Sequence, residues 1–370
     1  MRTMQTTVAI LGGGLAGLYS ARLLHSAGIP FQLLEARNRL GGRILSTDEA
    51  GRASEDGFDL GPSWFWPAVQ PAMAALVKEL GLAAFAQNIE GEVIFERMSR
   101  ETPQRYRGIP QEPQSMRLIG GTGALVRALA RDLPEERLQL GSKATSLTLG
   151  ENDITLTISS ADGTEHSLAA AHVIAALPPR LLEATVSFSP AIEPATARRW
   201  RETATWMAPH AKFFAVYDRP FWREAGISGT AQSMVGPLAE IHDATTASGV
   251  AALFGFLGVG ADRRESLGEA ALAQACRNQL ARLFGAEALT PRATIFKDWT
   301  ADPLTATADD RSAGGHPLPY LGPWVTGVWQ NRLSLGGSET SATEPGYLAG
   351  AVAAAQRAVA ETLDRLRKAE

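Results

Sequence analysis

Val8-Ala9-Ile10-Leu11-Gly12-Gly13-Gly14-Leu15-Ala16-Gly17, running on through Gly28 to Glu35, is the stretch that decides the fold. The apolar run over residues 6–11 predicts a short buried strand, stopped by three glycines. Leu15, Leu18, Leu23 and Leu24 stand at near-helical spacing and predict a helix over 15–27, closed by Gly28 as a C′ residue. Pro30 to Leu34 is the next strand. Strand, helix and strand form a βαβ unit, which implies a parallel sheet and a right-handed crossover.

Between the first strand and the helix the sequence fits G-x-G-x-x-G. Gly12 permits the tight turn, Gly14 lets backbone approach a pyrophosphate, and Gly17 lets helix and strand pack closely. The helix start offers unpaired N–H groups and a positive dipole end, to which Leu15 and Ala16 belong. Glu35 closes the second strand about 20 residues on, where a carboxylate can accept ribose hydroxyls. A dinucleotide site follows, and to this point NAD and FAD fit equally.

Outward from this unit the chain changes character. Ile154, Leu156 and Ile158 alternate with Thr155 and Thr157, and Asp162-Gly163 supplies a hairpin turn, so this piece is antiparallel. Strands are expected at Val173–Leu177, 212–217, 250–257 and 292–297, with a helix over 267–284. A strand from Asn331 then leads to Gly336-Gly337, and a long helix over 346–368 ends the chain. The expected class is α/β: a Rossmann-like βαβ nucleotide domain from 1–70, 112–182 and 315–370, interleaved with a mixed-sheet-plus-helix substrate domain from 71–111 and 183–314.

The 370 residues are 45% hydrophobic and 20% charged, enough for buried cores and against disorder. Thirty-five basic against 39 acidic residues, with no dense Lys/Arg run, argue against a nucleic-acid or polybasic membrane surface. Cys276 is the one cysteine; it fits a helix core and a reducing, cytoplasmic compartment. The apolar run 8–11 meets four glycines by Gly17 and Arg22 soon after, which argues against a signal h-region or a spanning helix, so a soluble, untargeted chain is expected. The six histidines show no metal-ligand spacing, no metal is expected, and no G-x-S-x-G elbow is present.

The tie between NAD and FAD is broken by Glu35-Ala36-Arg37 and Gly41-Gly42-Arg43, which let the chain pass under a diphosphate and put a guanidinium on it. With the glycine loop, this stretch resembles the flavin-containing monoamine and polyamine oxidases. The resemblance continues through Asp59-Leu60-Gly61-Pro62-Ser63-Trp64, Gly120-Gly121-Thr122-Gly123, Val173 to Pro179, Gly336-Gly337-Ser338-Glu339-Thr340-Ser341 and Pro345-Gly346-Tyr347-Leu348. It implies bound FAD, contacted by these segments and by Ala144, Trp299 and Leu348. Glu339 is expected to accept a ribityl hydroxyl. The last helix is expected to aim its N-terminus at the pyrimidine side of the flavin, where N–H groups stabilise negative charge.

The resemblance further implies an amine substrate, dioxygen as partner, and hydrogen peroxide as product. Lys212, in His210-Ala211-Lys212-Phe213-Phe214, matches the family's lysine that reaches the flavin through a water. A lone lysine in an apolar strand is informative by itself, since burial lowers its pKa; the plainer reading is an edge-strand lysine facing solvent. Tyr347 matches one of two substrate-flanking rings. The other position, after Gly314-Gly315, reads His316-Pro317, so Tyr320, Trp324 or Trp66 would have to fill the gap. The family's linking cysteine would fall at His316, so FAD is expected to be noncovalent. The loop Gly61 to Trp66 lacks the arginine that grips an amino-acid carboxylate, which favours an apolar amine or a polyamine. Only about sixty residues separate Gly61 from Gly120, so the region covering the substrate entrance is expected to be reduced. Two alternatives stay open: a flavin desaturase or oxidase on a non-amine substrate, and a non-redox flavin isomerase.

Overall fold

The structure is a computed structural model that describes residues 4–108, 111–312 and 315–369. Its first sheet grows from the strand Met4–Leu11, whose last four residues are fully enclosed. Gly12 turns at φ +100 and the helix Leu15–Ser26 returns the chain to Phe31–Leu34, parallel to the first strand. On its other side Met4–Leu11 pairs in parallel with Glu165–Ala175, which continues into an antiparallel meander with Ile154–Ser160 and Ser142–Leu149. Leu333–Leu335 joins beside Val173–Ala175, so the two ends of the chain share one sheet. The last helix, Leu348–Ala369, covers that sheet, with Ala349, Val352, Ala355 and Val359 buried against Leu18, Ala21 and Ile174.

The second sheet runs in the order Ala293–Asp298, Ala211–Tyr217, Ala251–Leu257, Leu238–Asp243, Ile227–Ser233, Glu92–Glu96 and Gln104–Arg107. It is antiparallel except where Ile227–Ser233 meets Glu92–Glu96. The helix Glu269–Phe284 covers its back through Leu272, Cys276, Leu280, Leu283 and Phe284. Each such apolar side chain contributes about 1.5–3 kcal/mol on leaving water. Cys276 is enclosed here, and burial pushes its thiol up to about 12.

Several expectations need revision. The expected strand 173–177 is the end of one long strand, Glu165–Ala175, which also forms the second arm of the hairpin. The expected helix 267–284 is Glu269–Phe284; it starts two residues later because Gly268 at φ +76 separates it from a short preceding helix, Ala261–Leu267. The last helix starts at Leu348, since Gly346 at φ +85 cannot be helical. The helix Pro71–Glu79 sends Met73, Leu76 and Val77 into the first core, not the second. Ser187–Ser189 and Trp200 also pack with the first sheet, beyond the boundary expected at 182. Between Gly61 and Gly120 the described residues form that one helix and four short strands. Gly314 lies outside the described residues.

Gly17 tests the packing argument. A Cβ there would overlap the carbonyl oxygen of Gly12, so helix and turn must separate to admit it. Gly17→Ala is expected to destabilise the chain by about 1–3 kcal/mol, as overpacking does. Urea unfolding of the flavin-free protein measures this, and a midpoint unchanged from wild type would refute the close approach.

Candidate active site

One cavity of about 650 Å³ lies between the two sheets. At one end are Gly12, Gly14, Leu15 and Ala16. No side chain caps this helix start, so the first-turn N–H groups face the cavity unspent. A Cβ on Gly14 would meet no heavy atom nearer than 3.9 Å; the glycine leaves open a cradle that a methyl group would fill. The Gly13 N–H donates to Glu35 Oε2 at 2.7 Å and the Arg37 N–H to Oε1 at 2.8 Å, so the Glu35 carboxylate braces both loops. The Gly41 N–H donates to the Gly13 carbonyl at 2.7 Å, which lays the Gly41-Gly42 turn beside the glycine loop. Ala36 and Ala144 miss this cavity but line a pocket of about 60 Å³ that shares Gly12, Glu35 and Arg37 with it. Gly17 lies behind the wall, where its part is packing.

Arg37 and Arg43 also line the cavity, but both guanidinium groups are held by protein. Arg37 donates to Asp302 Oδ1 at 2.8 Å and Thr305 Oγ1 at 2.9 Å. Arg43 grips Glu339 with both terminal nitrogens, at 2.5 and 3.1 Å, and donates as well to the Trp206 carbonyl and to Ser338 Oγ. This changes the role expected of Glu339. Its carboxylate is completely enclosed and also accepts from the Trp206 N–H and Ser338 Oγ, while Ser338 forms the cavity wall. Neither oxygen is left for a ribityl hydroxyl; Glu339 instead fixes Arg43.

Lys212 is 1% exposed on Ala211–Tyr217, a strand flanked on both sides, so the solvent-facing edge reading fails. Its Nζ donates to the carbonyls of Asp59 (3.1 Å) and Gly61 (2.6 Å) and to Ser63 Oγ (3.0 Å). It also lies 4.7 Å from the Phe254 ring centroid and 5.0 Å from that of Phe256. Burial pushes its pKa down to about 7, with Asp59 pulling it up and Arg117 pushing it further down. Burial also pushes the Asp59 carboxyl up, although Oδ1 accepts from Ser46 Oγ and from the N–H and hydroxyl of Thr122. The loop Asp59 to Trp64 and the motif Gly120 to Gly123 therefore meet at one carboxyl group. Gly61, Pro62, Ser63 and Trp64 line the cavity beside Lys212. Trp299, fully buried, donates from its indole to the Leu60 carbonyl at 2.9 Å and reaches the cavity from the other side.

Tyr347 and Leu348 form the wall at the start of the last helix. The partner ring for Tyr347 is neither Tyr320 nor Trp324, which pack on each other in the separate cluster that holds Trp200 and Trp329. Instead His316 stacks on Tyr347 at 4.5 Å and lies tilted against Trp206 at 3.9 Å, while Trp66 meets Tyr347 edge-on at 5.9 Å. Lining residues not foreseen from the sequence include Trp206, Met207, Glu240 and His242. Met207 carries a left-handed backbone, φ 67, at the wall; such strain in a bulky residue gathers at working sites. Nothing in local spacing marks these four, which reach the cavity only through strand register and loop path.

The family model described as flavin containing amine oxidoreductase matches residues 15–116 and 105–363. The chain belongs to this family. It is a flavin-dependent oxidoreductase acting on amines, with FAD as its cofactor. A probable flavin-containing monoamine oxidase A of Dictyostelium discoideum is 23% identical over 97% of this chain and 98% of its own. A solved putrescine oxidase with putrescine bound superposes with a TM-score of 0.81 at 21% identity, covering 98% of this chain and all of that one. The cyclohexylamine oxidase of Brevibacterium oxydans IH-35A gives 0.79 at 20%, covering 98% and 99%. The two superpositions establish the arrangement of a nucleotide-binding part and a substrate part. The uncapped helix start, the open cradle at Gly14 and the long cavity fit FAD.

The shifted lysine has a thermodynamic consequence. An unfolded lysine titrates near 10.4 and folded Lys212 near 7, so between these pH values the unfolded chain binds one proton more. Wild-type stability therefore gains from Lys212 as pH rises through that window, and the cost of its buried charge is fully present below pH 7. In flavin-free protein, the stability of Lys212→Met relative to wild type is expected to decline steadily from pH 7 to 10. Urea unfolding at several pH values checks this, and parallel curves for the two proteins would refute it.

Proposed function

We propose that this chain takes a hydride from the carbon next to an amine nitrogen, giving an imine that water hydrolyses to a carbonyl. The amine gives up two electrons and two protons in all, and dioxygen takes them to become hydrogen peroxide. Bound FAD supplies the two-electron acceptor between these halves. The observation that carries the reading is Lys212: an enclosed amine, poised near neutrality, at the wall where Ser63, Trp299 and Tyr347 also face the cavity.

Each group then has a task. The N–H groups of Gly14, Leu15 and Ala16 would hold the diphosphate, with Gly12 and Gly42 keeping the backbone clear and Arg43 adding positive charge. Glu35, Ala36, Arg37 and Ala144 would hold the adenosine end. Gly61, Pro62, Ser63, Trp64, Trp299, Ser338 and Leu348 would enclose the ring end. The substrate reacts as the neutral amine, because an ammonium has no lone pair to assist hydride loss. Lys212 serves as acid when charged and as base when neutral. Charged, it donates to Asp59, Gly61 and Ser63; neutral, it can accept from the Ser63 hydroxyl, so a proton can pass toward the cavity without leaving a buried donor unpaired. Tyr347 and Trp66 would orient the substrate nitrogen. We place the enzyme in the cytoplasm, a setting that suits its one cysteine.

Two measurements check these assignments. Lys212→Met is expected to keep FAD yet slow the reaction with dioxygen by at least ~10²-fold, as loss of a positioned proton-transfer group does, with a smaller loss in anaerobic bleaching. Stopped-flow separation of the two half-reactions reads both, and wild-type rates in each would remove Lys212 from the chemistry. The cofactor is expected to be noncovalent, since Cys276 lies in the core of the second sheet, behind Leu272 and Leu280. Acid precipitation should leave the yellow colour in the supernatant; colour in the pellet would point to a covalent link and sink the assignment.

A further inference from the structure

After the last strand of the second sheet, the segment Thr300 to Asp310 runs along the cofactor end of the cavity. Leu304 and Thr305 line the cavity of about 650 Å³, while Pro303 and Leu304 line the smaller pocket that holds Ala36 and Ala144. Pro303 is exposed, Leu304 half-buried and Thr305 buried. A single layer of chain therefore separates this end of the cavity from solvent.

Both ends of the segment are fixed. At its start the Trp299 N–H donates to the His210 carbonyl at 3.1 Å, and Thr300 Oγ1 donates to the Ala208 carbonyl and accepts from Arg264 at 2.7 Å. At its end the buried Asp310 pairs with Arg180 at 2.5 Å and accepts from the N–H and hydroxyl of Thr307, each at 2.9 Å. The middle is held differently. Asp302 Oδ1 accepts from the Leu304 N–H at 3.0 Å, which shapes the turn, and from Arg37 at 2.8 Å, which ties the turn to the first βαβ unit. The same Arg37 nitrogen donates to Thr305 Oγ1 at 2.9 Å. Asp302 and Arg37 are each 14% exposed, so water screens their pairing only in part.

We infer that Asp302, Leu304 and Thr305 form a clasp over bound FAD, and that the cofactor enters and leaves when the Arg37–Asp302 pair opens. Because the pair is made of protein groups alone, it is available with and without FAD. The clasp therefore obstructs entry and exit alike, and weakening it speeds both while their ratio changes much less. An ordinary contact behaves otherwise, since its loss speeds exit alone and weakens binding by the same factor. The inference concerns the cofactor and holds whatever substrate is oxidised.

The test follows FAD fluorescence, on stopped-flow mixing of flavin-free protein with FAD for entry and on dilution of the holoenzyme for exit. Asp302→Asn keeps the oxygen that accepts from Leu304 and removes the charge that holds Arg37. Entry and exit are each expected to rise at least ~10-fold, the yield of losing one charge-assisted contact, with Kd within about threefold of wild type. Asp302→Glu should restore part of the slow exchange. Thr305→Val keeps the side-chain shape, removes the second acceptor for Arg37, and should raise the same two rates by a smaller factor; it carries the test should Asp302→Asn fail to fold. An exit rate that rises alone, with Kd rising in proportion, would make Asp302 a plain contact and overturn the clasp. Wild-type rates of entry and exit in these variants would overturn it as well.

Discussion

The bond set on which the active site depends is the burial of one amine against one loop. Lys212 belongs to the second sheet, and its Nζ donates to Asp59, Gly61 and Ser63, whose loop leads out of the first core. The backbone carbonyls of such a loop need partners once water is excluded, and a lysine with three donors can satisfy them. The cavity wall, the lowered lysine pKa and the position of Trp64 follow from this single contact. It also limits the design, because a longer or shorter loop would leave either a buried charge or two buried carbonyls unmatched.

A second contact ties the chain's ends. Arg43 follows the glycine pair after the first βαβ unit, and Glu339 follows the strand Leu333–Leu335. Their buried, two-pronged pairing draws both segments to the same wall and also reaches the Trp206 carbonyl. Removing one partner strands the other, an outcome that costs about 3–5 kcal/mol for enclosed ions. Arg43 thus contributes its charge from a position set by Glu339.

The local elements were largely legible in the sequence. The glycine loop, Glu35 and the apolar periodicities carry their own geometry, because turn, helix and strand there are fixed by residues a few positions apart. Lys212 was legible as well, since one lysine among Phe213, Phe214 and Val216 has few ways to exist except buried and paired. What could not be read depends on register. Glu240 reaches the cavity only because a bulge between Leu238 and Glu240 sets its pairing with Phe256. His316 fills the ring position beside Tyr347 through the path of a loop, and Glu339 was misread because its partner Arg43 is almost three hundred residues away. Gly268 shows the opposite case. It was visible, but a glycine at the start of an apolar period reads as tolerated until its φ is known.

The parallel pairing of Met4–Leu11 with Glu165–Ala175 has a consequence for synthesis. Phe31–Leu34 can cover one edge of the first strand early, but the other edge waits for a partner about 160 residues downstream. At ribosomal speeds of roughly 5–20 residues per second, that edge stays open for on the order of 10–30 seconds. Val8, Ala9, Ile10 and Leu11 form an apolar, uncharged edge of the kind that recruits other chains. The nascent chain is therefore most vulnerable to aggregation before its middle third has emerged, and chaperone demand should peak there and not at release.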